Sequence, residues 1–187
     1  MRIISGSYRG KKILEPKDIK TRPLKDLTKE SIFNIINHTY QNDLTINGSN
    51  VLDLFSGTGS ISYEFASRGV TKLTAVDKNR HCIHYIQSTA VLLSMQLRVI
   101  QKDCVAFLET CPEKYDLIFA DPPYDFELGT YKKIFLSKSK YIENTSKCNP
   151  DCPSKKTKMR RGRELHRTFC SSYRKVNNPI PPRMQTQ

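Results

Sequence analysis

The residues best suited to chemistry stand at the end of an apolar run in the second half of the chain. Tyr115 to Ala120 reads as a strand, and Asp121-Pro122-Pro123-Tyr124 follows it directly. A carboxylate, a carbonyl aimed by a fixed proline φ and an aromatic ring suit a flat, amine-bearing base. The exocyclic amine of a base is a poor nucleophile, because its lone pair is delocalised into the ring. The Asp121 carboxylate and the Pro122 carbonyl would accept hydrogen bonds from both amine N–H groups. That favours a pyramidal nitrogen whose lone pair points at an incoming methyl group. Pro123 stiffens the turn, and Tyr124 would stack on a base drawn out of its helical stack. A lone Pro-Pro after a strand would be no more than a rigid turn. A second group of residues upstream argues against that bland reading.

That group begins at Val51-Leu52-Asp53-Leu54, an apolar strand running into Phe55-Ser56-Gly57-Thr58-Gly59. Gly57 and Gly59 let the backbone turn tightly and approach a ligand. A dinucleotide fingerprint wants a third glycine three residues on, and position 62 is Ser. Asp53 also sits badly with a pyrophosphate. It suits a cationic ligand such as the methionine moiety of S-adenosylmethionine, with its ammonium and sulfonium. The next strand ends at Asp77, placed to accept ribose hydroxyls. Asp103 follows the third strand, placed to accept from an adenine amine. Alone, each acid reads as a helix cap or a solvated loop charge. Three at successive strand ends beside a glycine loop read as a cofactor site. The expected reaction is an in-line methyl transfer governed by positioning and electrostatics. No metal is expected.

The elements around these residues alternate. Helices are expected over 26–38, 60–68, 79–94 and 105–110, and strands over 50–54, 72–76, 97–100 and 115–120. Leu27, Ile32, Ile35 and Ile36 are expected on one face of the first helix, with Asp26 or Thr28 as its cap. Strands spaced by helices predict a parallel sheet with right-handed crossovers. Residues 1–14 read as a β-hairpin: Ile3 and Ile4 precede Gly6-Ser7, and Ile13 and Leu14 close it after Gly10. Its exposed positions carry Arg2, Arg9, Lys11 and Lys12. These make either a solvated edge ribbon or an RNA-contacting arm.

The regularity stops near residue 136. Residues 137–187 hold 13 Lys+Arg against 3 Asp+Glu and five of the ten prolines, with no sustained period. Such composition predicts a largely disordered, basic tail. Most of the chain's net charge of +13 therefore lies there. Cys148, Cys152, His166 and Cys170 have spacings that a zinc site tolerates, but little apolar sequence surrounds them. A chain this basic points to nucleic acid as partner. No stretch approaches the ~18 apolar residues of a membrane span. The first residues carry no signal-like run. A cytoplasmic location with six reduced cysteines is expected.

Taken together, RIISGSYRGKKI, TRP…D…KESIFNII, LDLFSGTGSISYEFASRG, AVDKN and DLIFADPPY resemble the RsmD family. Its members are bacterial methyltransferases that modify a guanine N2 in small-subunit (16S) ribosomal RNA. The resemblance covers about residues 1–135. It implies a Rossmann-like α/β methyltransferase fold with an N-terminal β-hairpin extension over 1–20. It also implies S-adenosylmethionine contacts at Asp53, Phe55, Gly57, Gly59, Asp77 and Asp103, and catalysis at Asp121, Pro122, Pro123 and Tyr124. Arg22 and Pro23 match the family's RP loop near the active site, so Arg22 joins Arg2, Arg9, Lys11 and Lys12 as expected RNA contacts. Leu24-Lys25 and Asp77 depart from the family's usual small hydroxyl residues and Glu. The family would continue with further strands and a final hairpin, and none is legible after residue 136. An altered or out-of-frame terminus is the expectation. The implied partner is 16S rRNA, in an assembly intermediate, with the enzyme a monomer. Two other readings stay open: a methyltransferase of DNA adenine N6 or another base amine, and an inactive, truncated, basic RNA-binding protein.

Overall fold

The computed structural model describes residues 1–16, 24–40, 46–123 and 170–171. In chain order these form α1 (Asp26–Tyr40), β1 (Asn50–Leu54), α2 (Ser60–Ser67), β2 (Lys72–Asp77), α3 (Arg80–Leu92), β3 (Arg98–Gln101), α4 (Cys104–Thr110), β4 (Leu117–Ala120) and β5 (Cys170–Ser171). Apart from β5, the boundaries fall within two residues of the sequence expectation. The sheet order is β3-β2-β1-β4-β5. β1 to β4 are parallel, with Leu54 beside both Val76 and Ala120. The architecture is the expected α/β, Rossmann-like one.

The order matters for function. From β1 the chain steps outward to β2 and β3, then returns to place β4 on the other side of β1. The strand order thus reverses at β1, and in open α/β sheets the crevice that takes a ligand lies at such a switch point, here outside the carboxyl ends of β1 and β4. β4 is buried at every position and β1 at all but its first, as parallel strands covered on both faces should be. One apolar layer packs Leu52, Leu54 and Ile118 against Phe107 and Leu108 of α4. The other packs Val51, Leu117 and Phe119 against Ile32 and Phe33 of α1 and Phe65 of α2.

The N-terminal arm makes a third cluster, with Ile3 and Ile13 against Tyr63, Ile86 and Ala90. Its two sides meet at one antiparallel bridge, Arg2 with Lys12. Leu14, expected to close the hairpin core, is instead 89 % exposed. Side chains alternate along an extended segment, so burying Ile13 turns Leu14 outward. Leu27 and Ile35 of α1 are likewise exposed rather than on its buried face. The buried stripe runs through Lys29, Ile32, Phe33 and Ile36, spaced as i, i+3, i+4 and i+7.

Lys29 can occupy that stripe because Glu64 meets it. Both are almost wholly buried, with Lys29 Nζ 3.3 Å from Glu64 Oε1. Glu64 also pairs with Arg68 and accepts the Ile4 N–H at 2.7 Å, while Lys29 donates to the Arg2 carbonyl. One carboxylate on α2 thereby ties α1 and the arm together. A buried charge needs that many partners to be tolerated.

The sequence predicts no strand beyond residue 136, yet Cys170–Ser171 pairs antiparallel with β4, opposite Ile118 and Leu117. A two-residue strand carries no periodicity, so no pattern could have revealed it. Cys148, Cys152 and His166, the other members of the zinc spacing, lie outside the described residues.

Candidate active site

The loop from Leu54 to Ser60 crosses the crevice in three left-handed turns, at Phe55 (φ 58°), Gly57 (φ 53°) and Gly59 (φ 79°). Gly59 has no alternative. A Cβ there would stand 2.9 Å from both Ile86 Cγ1 and Tyr63 Cζ, so the missing side chain lets α2 close against α3. At Gly57 a Cβ would meet nothing within 4 Å, which leaves backbone facing open space. Phe55 is the costly member, because a bulky residue seldom adopts that conformation.

Neighbouring strand ends hold the loop in shape. The Phe55 N–H donates to Cys104 Sγ at 3.3 Å. The Cys104 thiol donates to the Val76 carbonyl at 3.7 Å, and the Ser56 N–H reaches the same carbonyl at 3.1 Å. Asp77 accepts the Gly57 N–H on Oδ2 and the Asn79 N–H on Oδ1, both at 2.8 Å. The ends of β1, β2 and β3 are thus cross-tied before any ligand arrives. Asp77, expected at the ribose, also closes the glycine loop, and lone pairs remain on both its oxygens.

Asp53 is almost entirely buried and accepts the Ser62 hydroxyl at 2.5 Å. Burial raises its pKa to about 7, with the Asp121 and Asp77 charges adding to the rise and the Ser62 hydrogen bonds opposing it. The charge of Asp121 therefore reaches Asp53. The register explains why: Leu54 lies beside Ala120, and Asp121 is the next residue. Asp121 and Pro122 are partly exposed and Pro123 is exposed, at the crevice mouth with Phe55 and Gly57. Asp103 is exposed and caps α4, accepting the Val105 and Ala106 N–H groups on Oδ1 at 3.0 and 3.1 Å. That is the bland role foreseen for such an acid, and its second oxygen faces no such duty.

The structure therefore gathers Asp53, Phe55, Gly57, Gly59, Asp77, Asp103, Asp121, Pro122 and Pro123 along one edge of the sheet. Tyr124 and Arg22 lie outside the described residues. The arm's basic residues are elsewhere. Its turn packs on the far ends of α2 and α3: the Ser7 N–H donates to the Ser67 carbonyl at 2.8 Å, and the Tyr8 hydroxyl to the Ser94 carbonyl at 3.4 Å. Arg9 and Lys11 thus sit near the amino ends of the strands, away from Asp121. Arg2 and Lys12 are nearer, beside Asp26 at the start of α1.

Two contributors carry no mark in the sequence. Ser62 reads only as an absent third glycine, yet it partners Asp53. Cys104 is one of six thiols with nothing to distinguish it.

Residues 1–173 match the family described as "Conserved hypothetical protein 95". "Ribosomal RNA small subunit methyltransferase D" of Buchnera aphidicola subsp. Baizongia pistaciae is 28% identical over 147 residues, covering 78% of this chain and 72% of that protein. The protein of that name from Haemophilus influenzae is 28% identical over 149 residues, covering 76% of this chain and 74% of its own. Among solved structures, a hypothetical protein of Thermus thermophilus superposes with a TM-score of 0.65 at 22% identity, over 76% of this chain and 80% of that one. At that identity the likeness speaks for the fold alone.

Proposed function

The chain belongs to the Conserved hypothetical protein 95 family, that of the RsmD methyltransferases, and from that premise we propose that it transfers a methyl group from S-adenosylmethionine to the exocyclic N2 of a guanine in small-subunit (16S) ribosomal RNA. The observation that carries this reading is the position of Asp121-Pro122. It directly follows the strand paired with β1, so it flanks the glycine loop across the crevice.

The residues fit the cofactor. Asp53 offers a buried carboxyl that a cationic ligand would hold ionised, and the Ser56 and Ser60 hydroxyls, which have no hydrogen-bond partner among the described residues, lie at the loop. We assign Asp53, Phe55, Gly57 and Gly59 to its methionine end, Asp77 to the ribose and Asp103 to the adenine. S-adenosylmethionine supplies an electrophilic methyl group on a sulfonium. The chain's own work is on the acceptor. The Asp121 carboxylate and the Pro122 carbonyl take the two amine N–H groups and leave the nitrogen lone pair directed at the methyl group. Asp121 then receives the proton that the methylated nitrogen sheds. Pro123 keeps the turn rigid, and Tyr124 stacks on the base.

The substrate assignment rests on the names of the relatives and on the sequence blocks quoted above. The setting we infer is cytoplasmic, with a monomer acting on a small-subunit assembly intermediate. Residues 1–136 form the methyltransferase domain in this reading, while residues 137–187 and the basic arm residues Arg2, Arg9, Lys11, Lys12 and Arg22 hold RNA. Incubation with methyl-labelled S-adenosylmethionine tests the proposal. Label should enter small-subunit rRNA with the unaltered chain and not with Asp121→Ala. Label entering only DNA would retain the chemistry and discard the substrate.

A further inference from the structure

The four parallel strands begin at the edge opposite the crevice, and hydrogen bonds tie the loops of that edge together. Lys72 opens β2 and stands beside Asn50, the first residue of β1. The Asn50 side-chain amide donates to the Lys114 carbonyl at 2.7 Å, which brings the loop before β4 to the same place. The Thr71 N–H donates to the Ser49 carbonyl and the Gly48 N–H to the Gly69 carbonyl, both at 2.9 Å. Gly69 follows the end of α2, where the turn of the N-terminal arm is seated: the Tyr8 N–H donates to the Ser67 hydroxyl at 3.0 Å. The arm's turn, the start of β2 and the loop before β4 are therefore neighbours on one surface.

The charges on this surface are unequal. Arg9, Lys11, Lys72 and Lys114 are exposed, and none of the four forms an ion pair among the described residues. Two acids of the same loops are already engaged. Glu113 accepts Arg98 on Oε1 at 2.5 Å and the Tyr115 hydroxyl on Oε2 at 3.1 Å. Asp116 accepts the Asn50 N–H on Oδ2 at 2.8 Å. A solvated face usually mixes both signs, whereas here the unmatched charges are positive. Exposed cations spread over three loops suit a phosphate backbone rather than a small enclosed ligand. β2 is six residues long, so this edge and the crevice stand about 20 Å apart. We propose that the edge is a second RNA-contact surface, where Lys72 and Lys114 join Arg9 and Lys11 to hold the backbone of a segment that never enters the crevice. The inference rests on RNA being the partner, as proposed above. It adds two contact residues and a division of labour: phosphate contacts on this edge position the RNA, and the crevice reads the base.

Binding of the full chain to small-subunit rRNA across a salt series counts such contacts, because the slope reports the phosphates neutralised. Lys72→Gln combined with Lys114→Gln should flatten the log–log slope by about 1.4 to 1.8, at roughly 0.7 to 0.9 for each phosphate released. Lys72→Arg combined with Lys114→Arg should keep the parent slope. Both pairs should keep the parent melting temperature and the parent affinity for S-adenosylhomocysteine, since the two side chains are exposed and lie across the sheet from the glycine loop. An unchanged slope in the glutamine pair, or the same loss in the arginine pair, would overturn the inference. So would a dimer in sedimentation that the glutamine pair dissociates, because a second copy of the chain would then occupy the face. If the parent methylates rRNA and the glutamine pair leaves the slope unmoved, the inference fails alone. If the parent transfers no methyl group to rRNA but the slope still falls, the catalytic reading fails and the surface stands. A parent chain that does not bind rRNA would overturn both.

Discussion

Asp53 and Asp121 are both carboxylates at strand ends, but Asp53 is buried against Ser62 while Asp121 is partly exposed at the crevice mouth. The difference matches the cofactor and substrate duties proposed for them. Asp121→Ala should lower methyl transfer by about a hundred- to a thousandfold, as removal of one preorganised partner of a reacting centre typically does. Cofactor affinity should stay nearly intact. Asp77→Ala should do the reverse: it removes the acceptor of the Gly57 N–H as well as the proposed ribose contact, so calorimetry should register weaker cofactor binding. Parent-like turnover in Asp121→Ala would remove the mechanism. Asp53 adds a pH dependence. Its folded pKa of about 7 lies above the ordinary 3.8, so between those values the folded chain holds a proton that the unfolded chain has lost. Stability from this group therefore falls as pH rises through that window. Binding a cation favours the carboxylate, so cofactor affinity should rise as pH climbs toward and past 7, with release of up to one proton. Calorimetry in buffers of different ionisation enthalpy would measure this, and the dependence should vanish in Asp53→Asn. A pH-independent affinity in the parent chain would contradict it.

Two ties decide how the elements hold the site. The first is Cys104, which accepts the N–H of left-handed Phe55 and donates to Val76. Cys104→Ala removes that acceptor, and Cys104→Ser restores an acceptor and a donor. Amide exchange at Phe55 should quicken in the alanine variant and return toward the parent rate in the serine variant. Equal exchange in all three would mean that the thiol only fills space. The second is the arm. A Cβ on Gly6 would fall 1.8 Å from the Ser67 carbonyl oxygen, at a φ of 84°. Gly6→Ala should then lift the arm from α2, lower stability by about 1–3 kcal/mol and shift the urea midpoint. An unmoved midpoint would show that the arm is not seated as described. Much of this level is legible in the sequence. Periodicity locates the helices and the parallel strands, and the glycine spacing with the acids at strand ends locates the crevice. Contacts that depend on one partner meeting another are not legible. Lys29 breaks the apolar stripe of α1 and is explained by Glu64, Asp26 and the Arg2 carbonyl, and Ser62 is explained by Asp53. β5 is too short to carry a pattern.

Along the chain, the excess charge and the candidate site fall in different stretches. The crevice opens at the carboxyl ends of β1 and β4, Arg9 and Lys11 lie toward the opposite edge, and residues 137–187 carry most of the excess of Lys and Arg. A substrate reaching both the crevice and Arg9 and Lys11 would be extended, as a long RNA is. Removing residues 137–187 should weaken nonspecific RNA binding and flatten its salt dependence, because each phosphate that the tail neutralises adds about 0.7 to the log–log slope on single strands. Cofactor affinity should change little, since β5 meets β4 at Leu117 and Ile118 and not at Asp121. An unaltered salt slope would exclude the tail from RNA binding. The account as a whole stands on which atom receives the methyl group. Small-subunit rRNA, free and in assembly particles, can be incubated with the chain and S-adenosylmethionine, digested, and its nucleosides separated by mass spectrometry. The account predicts N2-methylguanosine, formed with the parent chain and absent with Asp121→Ala. Methylated adenine in its place, or N2-methylguanosine formed undiminished by Asp121→Ala, would contradict it.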